Sequence, residues 1–383
     1  MVEAQYTIVP RQFDLFVGLD VDKSRIAVTV TDHERLLKSF QMPYCCEDLL
    51  HYLDKHFVGH KIALAYEVGP TGFGLYDDLT AAGHRCLVVA PAMVPRAPGK
   101  RVKTNRLDSR KLSQGLRGGE LESIHVPSPL YRQLRHLVQL RDSHVRQMTA
   151  AKFRIKALLL YESIPFPVVS RSWSARVLQA VGTLPCNDSV RFKLDSLMAS
   201  LQFHRLQAAA AQKQMRRFCQ QEPELRQSIR WLLTVPGLGW ITASHLVARL
   251  GDWRQLTHVR QVAAFLGIVS SEHSTGDDVQ RGPITRSGDS RLRNKLVQAA
   301  WTAIRKDPEL REFYRRIYRR HPRSLAPRKA IVAVARKLTT RIYAVLKEQR
   351  PFQLRPPRDS APLTPEETAG PRGGLDGAQN EQE

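Results

Sequence analysis

The sequence predicts an α/β sheet domain followed by a mainly helical remainder. Up to Pro91, short runs of alternating apolar and β-branched residues take turns with helix-period stretches, the signature of a sheet covered by helices. From Leu130 onward, apolar residues recur at three- and four-residue steps over segments too long to be strands. A Pro-Gly-Leu-Gly break at 236–239 then separates two further helical patterns. The boundaries that follow are 13–122 for the sheet domain, 128–225 for a helical domain, 226–350 for a C-terminal domain, and 351–383 for a tail.

The elements follow in order. Residues 13–31 (FDLFVGLDVDKSRIAVTVT) predict a strand, a polar turn at Asp22-Lys23-Ser24, and a second strand. Asp20 closes the first. Residues 36–41 suit a third strand and 46–57 a helix. A strand over 61–66 delivers Glu67 at its carboxyl end. Gly69-Pro70-Thr71-Gly72 turns the chain into a helix over 73–82, and 85–90 makes the last strand, closed by Pro91. A helix is predicted from about Arg106, with Asn105 at or near its N-cap. Positions three apart share a side of a helix, so Asn105 and Asp108 go together.

The prolines of Ser123–Pro129 mark a boundary. Two long amphipathic helices are predicted over 130–163 and 188–220, a pair or a dimer-forming coiled coil with a basic outer face. Helices over 222–233 and 241–250 flank the Pro236–Gly239 turn, a helix-hairpin-helix pattern. Its glycines, Gly237 and Gly239, would let backbone approach a phosphate near the positive end of the second helix. Another helix spans 259–266. Residues 267–276 (GIVSSEHSTG) are expected to be an irregular loop. Helices over 292–306 and 328–348 follow. Tyr314, Tyr318 and the arginine pairs 315–316 and 319–320 suit a basic, aromatic surface patch or a solvated helix face. The tail, 351–383, is rich in Pro, Gly and acids and predicts disorder.

Charge narrows the function. Lys and Arg total 59 against 36 acids, a net charge of +23. A surface this basic concentrates polyanions, and nucleic acid leads because Lys and Arg displace phosphate counterions. No run of 18 apolar residues spans a membrane, and the N-terminus lacks the charged start and apolar core of a signal peptide. The five cysteines show no CxxC spacing, so neither a zinc site nor a disulfide framework is predicted. A cytoplasmic, nucleoid-associated protein is expected.

Two residue sets carry chemistry. Asp20, Glu67 and Asp108, with the amide of Asn105, are all hard oxygen donors, as Mg²⁺ requires. Paired ions of this kind clamp the attacking and leaving oxygens of a phosphodiester. The second set surrounds Ser274, a small nucleophile followed by Arg281, Arg286, Arg291 and Arg293. Arginines beside a scissile phosphate stabilise phosphoryl transfer. A serine attacking phosphorus would store the DNA end without hydrolysis.

With these residues in place, the chain resembles the DEDD-type transposases of bacterial insertion sequences that are related to the Piv-type DNA invertases. The likeness runs from about Phe13 to Glu348. It rests on Gly18-Leu-Asp20, Tyr66-Glu67, Val102-Lys-Thr-Asn-Arg-Leu-Asp108, Pro236-Gly-Leu-Gly239, Ser274-Thr-Gly276, Ile284-Thr-Arg-Ser-Gly288 with Leu292-Arg293, and 331–337 (IVAVARK). The resemblance implies an RNase H-like (Holliday-junction-resolvase-like) first domain, a coiled-coil insertion, and a C-terminal domain with a catalytic serine. It implies Asp20, Glu67 and Asp108 as catalytic metal ligands, with the remaining acidic position falling on Asn105, which offers a carbonyl oxygen without charge. Ser274 matches the nucleophile, with Thr275 beside it. Lys103, Arg281, Arg286 and Arg293, with the two glycines, are the expected nucleic-acid contacts. The resemblance further implies a bridge RNA that pairs with donor and target DNA, and a homo-oligomer, a dimer or tetramer, in which subunits share an active centre. Two other readings use the same residues: a structure-specific (Holliday-junction) endonuclease, and a degenerate copy that only binds nucleic acid.

Overall fold

The computed structural model describes residues 6–91, 105–167, 173–275 and 278–354. The chain divides into two compact units, one ending at Val126 and the other beginning at Pro127.

In the first unit, β1 (Leu15–Val21), β2 (Arg25–Thr31) and β3 (Leu36–Pro43) form an antiparallel meander. After α1 (Cys46–His56), β4 (Ile62–Glu67) pairs parallel with β1. After α2 (Gly74–Ala81), β5 (Arg85–Val89) pairs parallel with β4. The sheet order is β3-β2-β1-β4-β5. This mixed five-stranded sheet agrees with the RNase H-like expectation. Side-chain alternation sends Leu15, Val17 and Leu19 into one core with Leu49 and Leu53 of α1 and Leu75 and Leu79 of α2. Phe16, Ala63 and Ala65 point the other way, onto Leu112 and Leu116 of α3 (Asn105–Gly118). Burial on both faces is why β1 and β4 are almost wholly apolar.

The second unit opens with two long helices, α4 (Pro129–Tyr161) and, after the short α5 (Ala175–Gly182), α6 (Asp188–Gln221). They pack antiparallel. Tyr131 and Val138 of α4 share a core with Met215 and Cys219 of α6. Farther along α4, Ile155 shares another with Leu194 and Leu201. Between these ends α6 buries Ala208 and Ala211, and polar contacts join the helices: Arg141 to Gln212 at 3.4 Å and His144 to His204 at 3.0 Å. Then come α7 (Pro223–Leu233), α8 (Trp240–Leu250) and α9 (Val259–Phe265), followed by strands β6 (Ser270–Thr275) and β7 (Asp278–Ile284). The chain continues through α10 (Ser290–Lys306), α11 (Pro308–Tyr318) and α12 (Ala326–Glu348). Among the described residues, no helix is long and apolar enough to cross a membrane.

Two expectations are corrected, and one helix is added. Residues 270–284 form an antiparallel hairpin, with Thr275 paired to Asp278, where an irregular loop was expected. Its strand SSEHST has no apolar alternation in the sequence, so no two-residue hydrophobic period marks it. Tyr314 and Arg315 belong to no surface patch; both are buried. The Tyr314 ring packs between Trp301 at 5.7 Å and Tyr318 at 5.9 Å. Arg315 follows Tyr314 inward because α11 is covered by α10 and α12. The helix α5 was not anticipated, since eight residues are too few to show a period. Of the 351–383 tail, residues 355–383 lie outside the described residues. At its start, Phe352 donates its N–H to Thr234 Oγ1 at 2.7 Å and packs its ring under Arg341.

Candidate functional site

The first unit gathers acids at one corner of its sheet. The last paired residues of β1 and β4 are Leu19 and Tyr66, so Asp20 and Glu67 stand next to each other one step on. Each lies two residues beyond a position that faces α3, Gly18 and Ala65, and alternation sends both acids to that side. Both are half-buried.

The helix α3 descends along β1 in the opposite sense. Ser113 Oγ donates to the Phe16 carbonyl at 2.9 Å, while Ser109 lies over Gly18 one turn earlier. Two buried hydroxyl pairs pin the helix to β2: Thr29 with Ser109 at 2.8 Å and Thr31 with Ser113 at 2.6 Å. One turn back from Ser109 the helix begins at Asn105, toward the end of β1 that carries Asp20, while Asp108 directly precedes Ser109 in the turn that lies over Gly18. The positive end of the helix dipole therefore faces the strand ends that bear the acids, which favours negative charge there.

Gly18 makes this approach possible. A Cβ at that position would stand 2.0 Å from the Ser109 carbonyl oxygen and 2.4 Å from the Ser113 nitrogen. Asp108 also accepts an ion pair from Lys111 at 2.8 Å. Among the described residues, no three of His, Cys, Asp and Glu converge as a ready metal cage. The donor chemistry nevertheless fits a hard divalent cation, since Asp20, Glu67 and Asp108 supply carboxylate oxygens and the asparagine an amide carbonyl.

The second unit presents the glycine turn and the hairpin. Gly237 takes φ +89°, and its missing side chain admits α10: a Cβ there would lie 2.3 Å from the Ala299 carbonyl oxygen. Gly237 is therefore a packing glycine, whereas Gly239 is exposed and open, and begins α8 without a side-chain cap. Two further glycines lock the base of the hairpin. Gly267 (φ +63°) and Gly288 (φ +113°) sit where added Cβ atoms would meet the Ser287 and Phe265 carbonyl oxygens at 2.1 and 2.2 Å. Between them, the Arg286 N–H bonds the Gly267 carbonyl at 3.1 Å and the Thr285 N–H bonds Val269 at 2.9 Å. Arg286 is exposed, with φ +56°. Arg293 reaches the Leu266 carbonyl with Nη1 at 2.9 Å, which satisfies an orphan acceptor at the end of α9.

On the backbone, Ser274 pairs with Val279 and Arg281 with Glu272 across the hairpin. The side chains of Ser274, Arg281 and Asn105, and the whole of Lys103, lie outside the described residues. Asp289 is a further structural acid that sequence patterns did not single out. It caps α10, accepting from the N–H groups of Arg291 and Leu292 at 3.0 and 3.1 Å, and pairs with Arg249 at 2.5 Å. Burial opposes its charge, but the Leu292 N–H, the Arg249 guanidinium and the Arg291 N–H outweigh it and hold its pKa below the usual carboxylate range. Its signal was an Asp just ahead of a helical run.

Comparison with known proteins matches both units. The family model described as transposase of the IS116/IS110/IS902 family matches residues 229–315, and the DEDD transposase model of IS110 type matches 17–162. A transposase candidate of Sinorhizobium fredii, y4qE, is 30% identical over 342 residues, covering 86% of this chain and 81% of the relative. The transposase for insertion sequence element IS1533 of Leptospira borgpetersenii is 23% identical over 299 residues, covering 75% and 84%. The pilin gene-inverting protein of Moraxella bovis is 25% identical over 280 residues, covering 71% and 76%.

Proposed function

The chain belongs to the IS116/IS110/IS902 family of insertion-sequence transposases, and from that premise we propose that it cuts and rejoins DNA through a serine-linked intermediate. The observation that supports this reading is that Asp20 and Glu67 directly follow Leu19 and Tyr66, the last paired residues of two adjacent strands, on the side of the sheet that α3 covers.

In the proposed reaction, the Ser274 oxygen attacks the scissile phosphorus. One phosphorus–oxygen bond forms to serine and one breaks to the departing strand, whose oxygen takes up a proton as a hydroxyl. A strand hydroxyl then attacks the same phosphorus, and serine leaves. The phosphodiester count is unchanged throughout, so no external energy source is needed. Asp20, Glu67, Asp108 and the Asn105 carbonyl would hold Mg²⁺, which supplies positive charge against the phosphate oxygens. Arg281 and Arg286 neutralise developing charge, and the open start of α8 at Gly239 contacts backbone phosphate. The family resemblance supports a centre shared between copies in a dimer or tetramer. The net charge of +23 supports a bound bridge RNA as well as DNA.

The test is to trap the reaction on element-end DNA, digest the protein, and locate the DNA-linked peptide by mass spectrometry. A DNA-linked peptide containing Ser274 is the expected result. Accumulating cleaved DNA with no protein link would replace this reading with the nuclease. Sequencing RNA that co-purifies when the protein is expressed with its flanking DNA should recover one discrete species; a random sample of cellular RNA would remove the guide from the proposal.

Arg286 gives a separate expectation. A left-handed backbone costs a non-glycine residue about 1 kcal/mol. The substitution Arg286→Gly should therefore stabilise the second unit by up to about 1 kcal/mol in urea unfolding, while DNA affinity falls. Unchanged affinity would remove Arg286 from the residues that touch DNA.

A further inference from the structure

A second polar cleft lies in the helical unit, bounded by α4, α8 and the start of α10, with a volume of about 680 Å³. His136, Asp142 and Arg146 line it from α4, His245 and Arg249 from α8, and Arg291 from α10. The sequence groups Arg291 with the arginines that follow Ser274, but the structure places it in this cleft, and none of the others figures in the reaction proposed above.

Its charges are unbalanced. Asp142 is buried and already flanked by two cations, Arg141 Nη1 at 3.4 Å and Lys295 Nζ at 3.6 Å, with the His245 ring beside it, Nε2 at 3.5 Å. The other acid, Asp289, is engaged by Arg249 and by two N–H groups of α10. Both carboxylates are thus neutralised from within. Arg146 and Arg291 have no ion-pair partner among the described residues, and both open onto the cleft. The 17-residue α10 adds the positive end of its dipole.

One buried group also lacks a partner. His245 is 2% exposed, and its Nε2 makes no hydrogen bond despite lying near Asp142. Burial depresses its pKa to about 4, with Asp142 opposing and Lys295 and Arg141 reinforcing the shift. The ring is therefore neutral at ordinary pH. A buried polar atom left unsatisfied carries a desolvation cost that an incoming oxygen would relieve.

We propose that this cleft is a phosphodiester-binding site that grips a nucleic-acid backbone away from the reacting phosphate, with Arg146 and Arg291 as its charged contacts. The class of occupant rests on the reading of the chain as a nucleic-acid enzyme; the anion preference rests on the cleft itself. The cleft also carries no base-reading function in this proposal, because phosphate contacts position a strand without specifying it.

The experiment measures binding of a labelled DNA duplex and a labelled single-stranded RNA across a salt series. Wild type is compared with Arg146→Gln/Arg291→Gln and with a control pair on α6, Arg205→Gln/Lys213→Gln. Melting curves matching wild type secure the fold of each variant. Removing one cation from a phosphate lowers the salt slope by about 0.9 on duplex DNA and about 0.7 on a single strand. The cleft variant should therefore show a slope reduced by close to twice that amount on one of the probes, and the probe affected names the strand it holds. A slope equal to wild type, or a reduction no larger than the control pair's, overturns the proposal. So does an effect confined to inorganic phosphate, tested as loss of its thermal protection with both slopes intact. No strand exchange is needed for this readout. A chain that forms no serine adduct but whose slope falls in the cleft variant would retain the cleft and discard only the mechanism.

Discussion

Ser274→Ala should lower strand exchange on element-end DNA by roughly 10⁶-fold, the scale on which removing a nucleophilic serine acts elsewhere. Binding of DNA and RNA should stay at wild-type levels, because the missing oxygen takes part only in the bond-making step. The neighbouring substitution Thr275→Ala should leave exchange within a few-fold of wild type. The pair matters because Ser274 and Thr275 occupy successive register positions near the end of β6, opposite Val279 and Asp278. Exchange surviving in Ser274→Ala but abolished in Thr275→Ala would move the nucleophile by one residue. Survival in both would remove the hairpin hydroxyls from the chemistry. Quantifying joined product by sequencing covers the needed range.

The second large effect concerns a residue with no reactive group. Gly18→Ala should destabilise the first unit by about 3 kcal/mol, the upper end for overpacking, because the added carbon meets helix backbone rather than a movable side chain. The Ser109 carbonyl oxygen at 2.0 Å and the Ser113 nitrogen at 2.4 Å leave no room for it. That is a large share of a typical domain's roughly 5–15 kcal/mol. The helix must lift from β1, and Asp108 with it, so metal-dependent cleavage should fall even in molecules that remain folded. Urea unfolding gives the first quantity, and cleavage assayed at low temperature gives the second. Full activity with a destabilisation below about 0.5 kcal/mol, the range of a neutral surface change, would mean that α3 does not seat on Gly18.

The sheet was legible because its strands are short, apolar and bounded by turn residues, and Asp20 and Glu67 were visible as acids ending two of them. What could not be read was how the corner is assembled. The pairing of Thr29 with Ser109 and Thr31 with Ser113 joins residues 80 and 82 apart in the chain, and no local pattern announces it. The β6–β7 hairpin escaped for a different reason: its strands carry polar residues, so alternation had nothing to alternate. Gly237 and Arg293 show a third kind of limit. Their residue types suit phosphate contact, but tertiary packing gives Gly237 to α10 and at least one nitrogen of Arg293 to Leu266. Tyr314 and Arg315 looked solvated among arginines until α10 and α12 covered α11.

The two-ended packing of α4 against α6 has a mechanical consequence. One end of the pair is anchored in the main helical core through Tyr131, Val138, Met215 and Cys219. The other holds its own apolar cluster with α5, around Ile155, Val181 and Leu194. Between them α6 buries only the small side chains of Ala208 and Ala211, beside imidazole, guanidinium and amide contacts, so little apolar area couples one end to the other. Cooperative opening follows contiguous burial, so the far tip is expected to open as a separate unit, which hydrogen-exchange mass spectrometry would read. Its amides should then exchange with solvent faster than those of the anchored end, as in a lever whose tip loosens without releasing its fulcrum; equal protection along both helices would show one cooperative unit.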